Sequence, residues 1–348
     1  MRSQREGARM TEASNKQHSA PNERAARRRG SRRLKIGAAL VALAVGVGVF
    51  ALRSPPPVGH WEDAVGQDRF LAAYDRAFAD LPEPAETFDL RTRYGTVRVY
   101  RFAGTRDGAE PLLLLPGRSS ATPVWADNLP SLLEIGDVYT VDLLGEPGMS
   151  IQERPITSDA DQAAWLEETL AALPEEAFHV VGLSIGGWSA VNLALRESAH
   201  VASLIVIDPV FVFDDLPLGT ILRSLPASLP WLPKSWRDSF NSYTAGGAPV
   251  EEEPVAEMIE AGMQHYSLRL PGPTRVSEED LHELEMPVLA FIAGKSVMHD
   301  PLVAVETAKR ALPEGAVRVY PHASHAINGE FPERLARDIA AFVEGKGR

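Results

Sequence analysis

Along most of the chain, short apolar runs alternate with longer stretches of helical periodicity. The runs fall at TFDLRTRYG (87–95), TVRVYRFAG (96–104), PLLLLPG (111–117), DVYTVDLLG (137–145), FHVVGLS (178–184), ASLIVIDP (202–209), PVLAFIAG (287–294) and AVRVYPHASH (316–325). Each is short, rich in Val, Ile, Leu, Phe or Tyr, and most end in Gly or Pro, so each predicts a strand. The central four show little polar alternation, which predicts strands covered on both faces. Between the later runs, SDADQAAWLEETLAAL (158–173), the segment after Ser184, DPLVAVETAKRAL (300–312) and PERLARDIAAFV (332–343) repeat apolar residues at helical spacing. Strand and helix in regular alternation predict an α/β architecture on a mostly parallel sheet of about eight strands, with helices on both faces.

One interval breaks this rhythm. Between Val210 and Met286 lie 75 residues (211–285), where a crossover needs only a dozen or more. The interval is aromatic, Pro-rich and helical in patches, and it reads as a helical cap inserted between strands six and seven. Trp231, Trp236, Phe240 and Tyr243 are its large apolar residues, suited either to the cap's own core or to the wall of an apolar substrate site.

Charge changes the picture at the front of the chain. Residues 1–35 hold 11 Lys and Arg against 3 Asp and Glu, a net of +8, so the remainder carries −12 − 8 = −20. A strongly acidic body disfavours nucleic acid as a partner. The basic arm is followed by Ile36 to Leu52, 17 residues without a charge, which predicts a transmembrane signal anchor or a signal peptide. A basic flank before an apolar run places the N-terminus in the cytoplasm and the remainder outside it. SRRLKI (31–36) also resembles a twin-arginine export signal, without its usual Phe-Leu pair. No small-residue cleavage site follows, and Arg53-Ser54-Pro55-Pro56-Pro57 reads as a stiff linker, so the anchor is the preferred reading. The expected organisation is a basic arm (1–35), an anchor or signal (36–52), a linker and N-terminal helix (53–84), and one α/β domain (85–348). With no cysteine, no disulfide braces that domain. Oligomeric state is not written in these patterns.

The candidate chemistry sits at one corner. In VVGLSIGGWSA (180–190) a serine stands between glycines where a predicted strand turns into a predicted helix. Gly182-Leu183-Ser184-Ile185-Gly186 is G-x-S-x-G in that context, and the chain resembles the α/β-hydrolase superfamily over roughly residues 85–345, especially its esterase-like members with a helical cap. Two further stretches carry the resemblance. PLLLLPGRSSATPVW (111–125) looks like the family's strand and H-G-x loop, with Pro116 in place of His. DLLGEPGMS (142–150) resembles its D-x-x-G-x-G-x-S turn, one residue longer.

The resemblance implies Ser184 as nucleophile, a histidine base, and backbone N–H groups of Ile185 and Arg118 as the oxyanion hole. His325, followed by Glu330 and Pro332 as in the family's ending, is the expected base; His322 is the alternative. The acid stays open. Family members usually carry it three residues after the glycine closing strand seven, but Val297 stands there. Asp208, at the end of strand six, and Asp300 are the two candidates, Asp300 also fitting a helix N-cap ahead of Pro301. An ordered Ser-His-Asp set implies a carboxylesterase for small or medium apolar esters, without a cofactor. The same groups would serve a lactonase, thioesterase, amidase or carbon-carbon hydrolase. The missing acid after Gly294 and the replaced His leave a degenerate, membrane-tethered binding protein as the alternative. Neither H-E-x-x-H nor a cysteine ligand occurs, and Gly294-Lys295-Ser296 lacks the earlier glycine of a phosphate loop, Leu289 standing there.

Overall fold

The computed structural model describes residues 56–345 except 107, 230, 251–252 and 314–315. The basic arm and Ile36–Leu52 lie outside the described residues. Among the described residues no helix is long and apolar enough to cross a membrane.

Eight strands make one sheet: β1 (Glu86–Arg91), β2 (Gly95–Phe102), β3 (Leu112–Leu115), β4 (Val138–Val141), β5 (Phe178–Leu183), β6 (Val201–Ile207), β7 (Val288–Ala293) and β8 (Val317–Tyr320). Their order across the sheet is β1-β2-β4-β3-β5-β6-β7-β8, with Ile151–Gln152 added as a ninth, two-residue strand beside β2. β2 pairs antiparallel with β1 and β4, and every pair from β4 to β8 is parallel. The period-two geometry of a strand explains the continuous apolar runs. In β3, Leu113 and Leu115 enter the core on one face while Leu112 and Leu114 enter the core on the other. β5 and β6 divide in the same way, Val180, Leu204 and Val206 against Val181, Ile205 and Ile207. Both faces are therefore closed by helices, as a buried parallel sheet requires.

The helices are α1 (Ala64–Phe78), α2 (Asp159–Ala171), α3 (Ile185–Arg196), α4 (Leu218–Ala227), α5 (Lys234–Thr244), α6 (Pro254–His265), α7 (Pro301–Ala311) and α8 (Pro332–Gly345). Local chemistry starts several of them. Ser158 and Asp161 form a reciprocal capping box at α2, and Asp63 accepts the Gly66 N–H at α1. The chain order reverses between β3 and β5, since β4 lies on the far side of β3. Loops leaving β3 and β5 diverge there and open a crevice at the carboxyl ends of the strands.

The segment 211–285 forms α4, α5 and α6 at that end of the sheet, with a short helix at Glu278–His282. It does not stand alone. α1 packs along α6, and His60–Trp61 pairs antiparallel with Tyr266–Ser267, so the N-terminal segment is part of the same layer. Buried Arg237 ties α5 to α6 through Glu260 Oε1 at 2.8 and 2.9 Å. Trp231 and Trp236 fill neither role foreseen for them: both side chains face solvent, because α4 and α5 turn their buried positions (Thr220, Ala227, Arg237) the other way.

Candidate active site

Ser184 sits between β5 and α3 with φ 55° and ψ −116°, in backbone space that costs a non-glycine residue about 1–3 kcal/mol. Its surroundings hold it there. Ser184 N–H donates to Ile207 O (3.0 Å), and Ser184 O accepts from the N–H groups of Gly187 (3.0 Å) and Trp188 (3.2 Å). The flanking glycines are required by close approach. A Cβ on Gly182 would lie 2.3 Å from Gly186 O, and one on Gly186 would lie 2.2 Å from Leu115 O. The strand can therefore pass close beneath the helix and push the serine out at the crevice.

The side chains then connect in sequence. Ser184 Oγ is 2.9 Å from His325 Nε2, and His325 Nδ1 is 2.6 Å from Asp208 Oδ2. A carboxylate only accepts, so Nδ1 carries the hydrogen and Nε2 is left to accept from the serine hydroxyl. Asp208 is fully buried at the end of β6, itself at φ 44°. Burial alone would push its carboxyl up, but hydrogen bonds and charge from His299 and His325 outweigh that and hold it well below the ordinary carboxylate range.

The end of β7 and the loop after it, where the usual acid is missing, instead furnish donors to Asp208. Ala293 N–H reaches Oδ1 at 2.9 Å, Ser296 Oγ reaches Oδ2 at 2.7 Å, and His299 Nε2 reaches Oδ1 at 2.8 Å. The absent carboxylate after Gly294 therefore leaves no gap in the site. Asp300, the other candidate acid, is not brought to the imidazole: its carboxylate accepts from Leu302 N–H (2.9 Å) and Val303 N–H (3.3 Å) as the N-cap of α7. The N-cap reading of Asp-Pro is the one the backbone adopts, because the first turn of α7 has orphan N–H groups to satisfy. His322 is exposed on the turn after β8, apart from the serine–imidazole–carboxylate chain.

His299 is the functional neighbour that sequence reasoning missed. Its only signal was a histidine next to the capping aspartate in SVMHDP. It is almost wholly buried, and its Nδ1 has no partner. Burial disfavours the charged imidazole, but the hydrogen bond and charge of Asp208 outweigh it, so His299 keeps its proton to higher pH than usual. A raised folded value stabilises the protein fully below the unfolded value near 6.5, and the benefit fades as pH rises through the folded value. His299→Phe is expected to cost about 1.5–3 kcal/mol at pH 6, as for a lost hydrogen bond to a charged group, and less at pH 9. Urea unfolding at the two pH values measures both; an equal cost at both would exclude the charged pairing.

The loops after β3 and β5, where the oxyanion-stabilising N–H groups are expected, come together beside the serine. Ile185 opens α3, so its N–H has no intrahelical acceptor. Across from it, Gly117 lies beside the serine: a Cβ there would be 3.7 Å from Ser184 Cβ. Arg118 follows, its guanidinium 3.1 Å from Glu146. Buried Glu146 also accepts Ser119 N–H at 3.1 Å, pinning the loop where Ser119 takes φ 55°. Burial pushes the Glu146 carboxyl up, opposed by Arg118. Asp142 anchors the other flank, accepting from Thr122 N–H, Thr122 Oγ1 and Met149 N–H, each at 2.8 Å, and from Tyr74 OH at 3.0 Å. Three of the four non-glycine residues with positive φ among the described residues are thus Ser119, Ser184 and Asp208, which concentrates backbone strain at this site.

Two more contacts set the histidine. Glu330 accepts from Ser324 N–H (2.8 Å) and Ser324 Oγ (2.6 Å), and His325 N–H donates to Thr244 O at the end of α5 (3.2 Å). Ile185, the residue after the serine, also lines a recess of about 330 Å³, its open mouth included, together with Arg118, Leu143, Leu144, Glu146 and Trp188. Among the described residues no cluster of His, Cys, Asp and Glu could hold a metal ion.

Comparison with known proteins points the same way. The model of the alpha/beta hydrolase family matches residues 112–338. The carboxylesterase YbfK of Bacillus subtilis is 25% identical over 285 residues, covering 80% of this chain and 94% of that protein. A second Bacillus subtilis protein, the uncharacterized carboxylesterase nap, is 25% identical over 80% of this chain and 93% of its own. The crystal structure of YbfK superposes with a TM-score of 0.74 at 24% identity, over 81% of this chain and 99% of that one.

Proposed function

This chain belongs to the alpha/beta hydrolase family, and from that premise we propose that it is a serine carboxylesterase acting on small or medium apolar esters. The observation that carries the reading is the unbroken hydrogen-bond chain from Ser184 through His325 to Asp208, at 2.9 and 2.6 Å, on a strained corner facing a cleft. Carboxylesterases spanning nearly their full length support the ester as the bond attacked.

Each step follows from the groups in place. His325 Nε2 takes the Ser184 proton as Oγ attacks the ester carbonyl, and the negative oxygen moves toward the N–H groups of Ile185 and Arg118. Collapse of the tetrahedral species breaks the ester C–O bond, and the imidazolium returns its proton to the leaving alcohol. Water, deprotonated by the same nitrogen, then releases the acid and restores the serine. Asp208 keeps Nδ1 protonated and balances the imidazolium throughout. Leu143, Leu144, Ile185 and Trp188, in the recess that Ile185 shares with the corner, suit an apolar acyl group.

The N-terminal sequence adds a location. With a basic arm, an uncharged 17-residue stretch and a proline-rich linker, the chain reads as a membrane-anchored enzyme with its catalytic domain outside the cytoplasm.

Fluorophosphonate labelling and hydrolysis of p-nitrophenyl acetate through octanoate test the catalytic reading. Rapid labelling, with turnover highest at short or medium chains, is the expected result. A folded protein that neither labels nor turns over any of these esters would overturn it.

A further inference from the structure

The outer face of the cap is apolar. On α4, Leu218, Ile221, Leu222 and Leu225 follow a 3-1-3 spacing that puts all four on one face, and all are exposed, Leu218 at 70%. Trp231 (76% exposed), between α4 and α5, and Trp236, in the first turn of α5, are exposed as well. The helix is seated by its other side, where Thr220 is buried and donates to the Val297 carbonyl. Exposed Arg223 places its guanidinium 4.3 Å from the centre of the Tyr243 ring. An amphipathic helix seated through buried Thr220 that presents four apolar side chains outward, with two exposed tryptophans following it, has the composition of a surface that enters a lipid interface.

The chain itself indicates which surface. Gly59 N–H donates to Gln152 Oε1, and His60–Trp61 pairs with Tyr266–Ser267 next to α6. The described chain thus begins at the cap end of the sheet, the end that carries α4. Only Arg53, Ser54 and Pro55 separate Leu52 from Pro56, a reach of at most about 14 Å. If Ile36–Leu52 is in a bilayer, so short a tether raises the effective concentration of the apolar face for weak contact with that bilayer. The tether matters because the chain after residue 35 carries −20, which opposes untethered binding to anionic lipid.

We propose that α4, Trp231 and Trp236 dock the cap into the headgroup layer of the membrane, so that the catalytic cleft draws apolar esters that have partitioned into lipid. The inference rests on the anchored reading above and deepens the substrate class to membrane-partitioned esters. Val297, to which α4 is fastened through Thr220, lies in the loop that holds Asp208, so the docked helix is one contact from the catalytic carboxylate.

The test uses the full chain reconstituted into phosphatidylcholine vesicles, plain or brominated along the acyl chains. Flotation reads anchoring, and quenching of tryptophan emission by the brominated lipid reads docking. Of the other four tryptophans, Trp125, Trp165 and Trp188 are buried and unavailable to the quencher, and half-buried Trp61 is carried as a constant background in every variant. The expected result is flotation with strong quenching. Trp231→Phe/Trp236→Phe should still float but lose most of the quenched emission. Leu222→Ser/Leu225→Ser should float, quench about threefold less, and turn over p-nitrophenyl octanoate partitioned into the vesicles about threefold more slowly, with soluble p-nitrophenyl butyrate unaffected. Loss of the soluble activity would mark misfolding, and the quenching of Trp231→Phe/Trp236→Phe then decides alone. Flotation without quenching overturns the docking and leaves the anchor standing. Failure to float overturns both. Emission protected instead by a concentration-dependent dimer would assign the face to a second copy and overturn the proposal.

Discussion

Replacing Ser184 by alanine is expected to lower turnover of p-nitrophenyl butyrate by on the order of 10⁴- to 10⁶-fold, because the nucleophile is removed and only binding and oxyanion contacts remain. The stability of the same position should move in a separate direction. Alanine at φ 55° inherits the strain of serine, so Ser184→Ala should melt close to the wild type. Ser184→Gly removes the Cβ that makes this backbone region costly, and is expected to gain about 1 kcal/mol while remaining inactive. Thermal unfolding beside the kinetic assay measures both. An active Ser184→Ala protein would sink the nucleophile assignment, and a glycine variant less stable than alanine would sink the strain argument. A protein that keeps a strained residue at its reactive corner trades stability for function there.

Asp208→Asn is expected to be nearly as damaging, with a loss on the order of 10⁴-fold in turnover. The reason lies in what surrounds the carboxylate. It accepts from His325 Nδ1, His299 Nε2, Ser296 Oγ and Ala293 N–H, so every near neighbour donates. An amide at this site turns a donor toward donors and removes the charge that balances imidazolium. Stability should fall by about 3–5 kcal/mol at neutral pH, as when a buried charge pair is broken. Because the folded carboxyl lies below its ordinary range, its contribution is present above about pH 4, the unfolded value, and is lost on acidification through the folded one. Asp300→Asn supplies the contrast. Asparagine caps a helix about as well as aspartate, so this variant should keep its turnover and lose at most a few tenths of a kcal/mol. Parallel kinetics and urea unfolding of the two variants separate the roles; the opposite pattern would exchange them.

Much of the frame was legible because it is local. Leu112–Leu115 and Phe178–Leu183 announce buried strands by their own composition, Ser158 and Asp161 cap α2 within four residues, and Asp300-Pro301 opens α7 by its own turn. The corner at Ser184 is also local, since the glycines on either side and the change of period from strand to helix fall within one stretch of chain. His325 could be read from its place just past the last strand.

The rest of the site was decided across distance. His325 meets Asp208 from 117 residues away, and His299 meets it from 91. No period or cap in the sequence separates Asp208 from Asp300, because each closes or opens an element plausibly by itself. What separates them is the adjacency of β6 and β7 in the sheet, which brings the end of β7 and the loop after it over the end of β6 and turns their three donors onto one carboxylate. Trp231 and Trp236 make the same point for the cap: an apolar side chain states its preference for burial, but whether a partner is there to cover it depends on how α4 and α5 sit on the molecule. The sequence by itself determined the alternation of elements, the strained nucleophile corner and the histidine after the last strand, because backbone geometry and short-range hydrogen bonding act within a few residues. Only the tertiary structure decided which carboxylate meets His325, the second histidine beside it and the outward face of the cap, because those depend on contacts that exist only once the sheet has brought distant loops together.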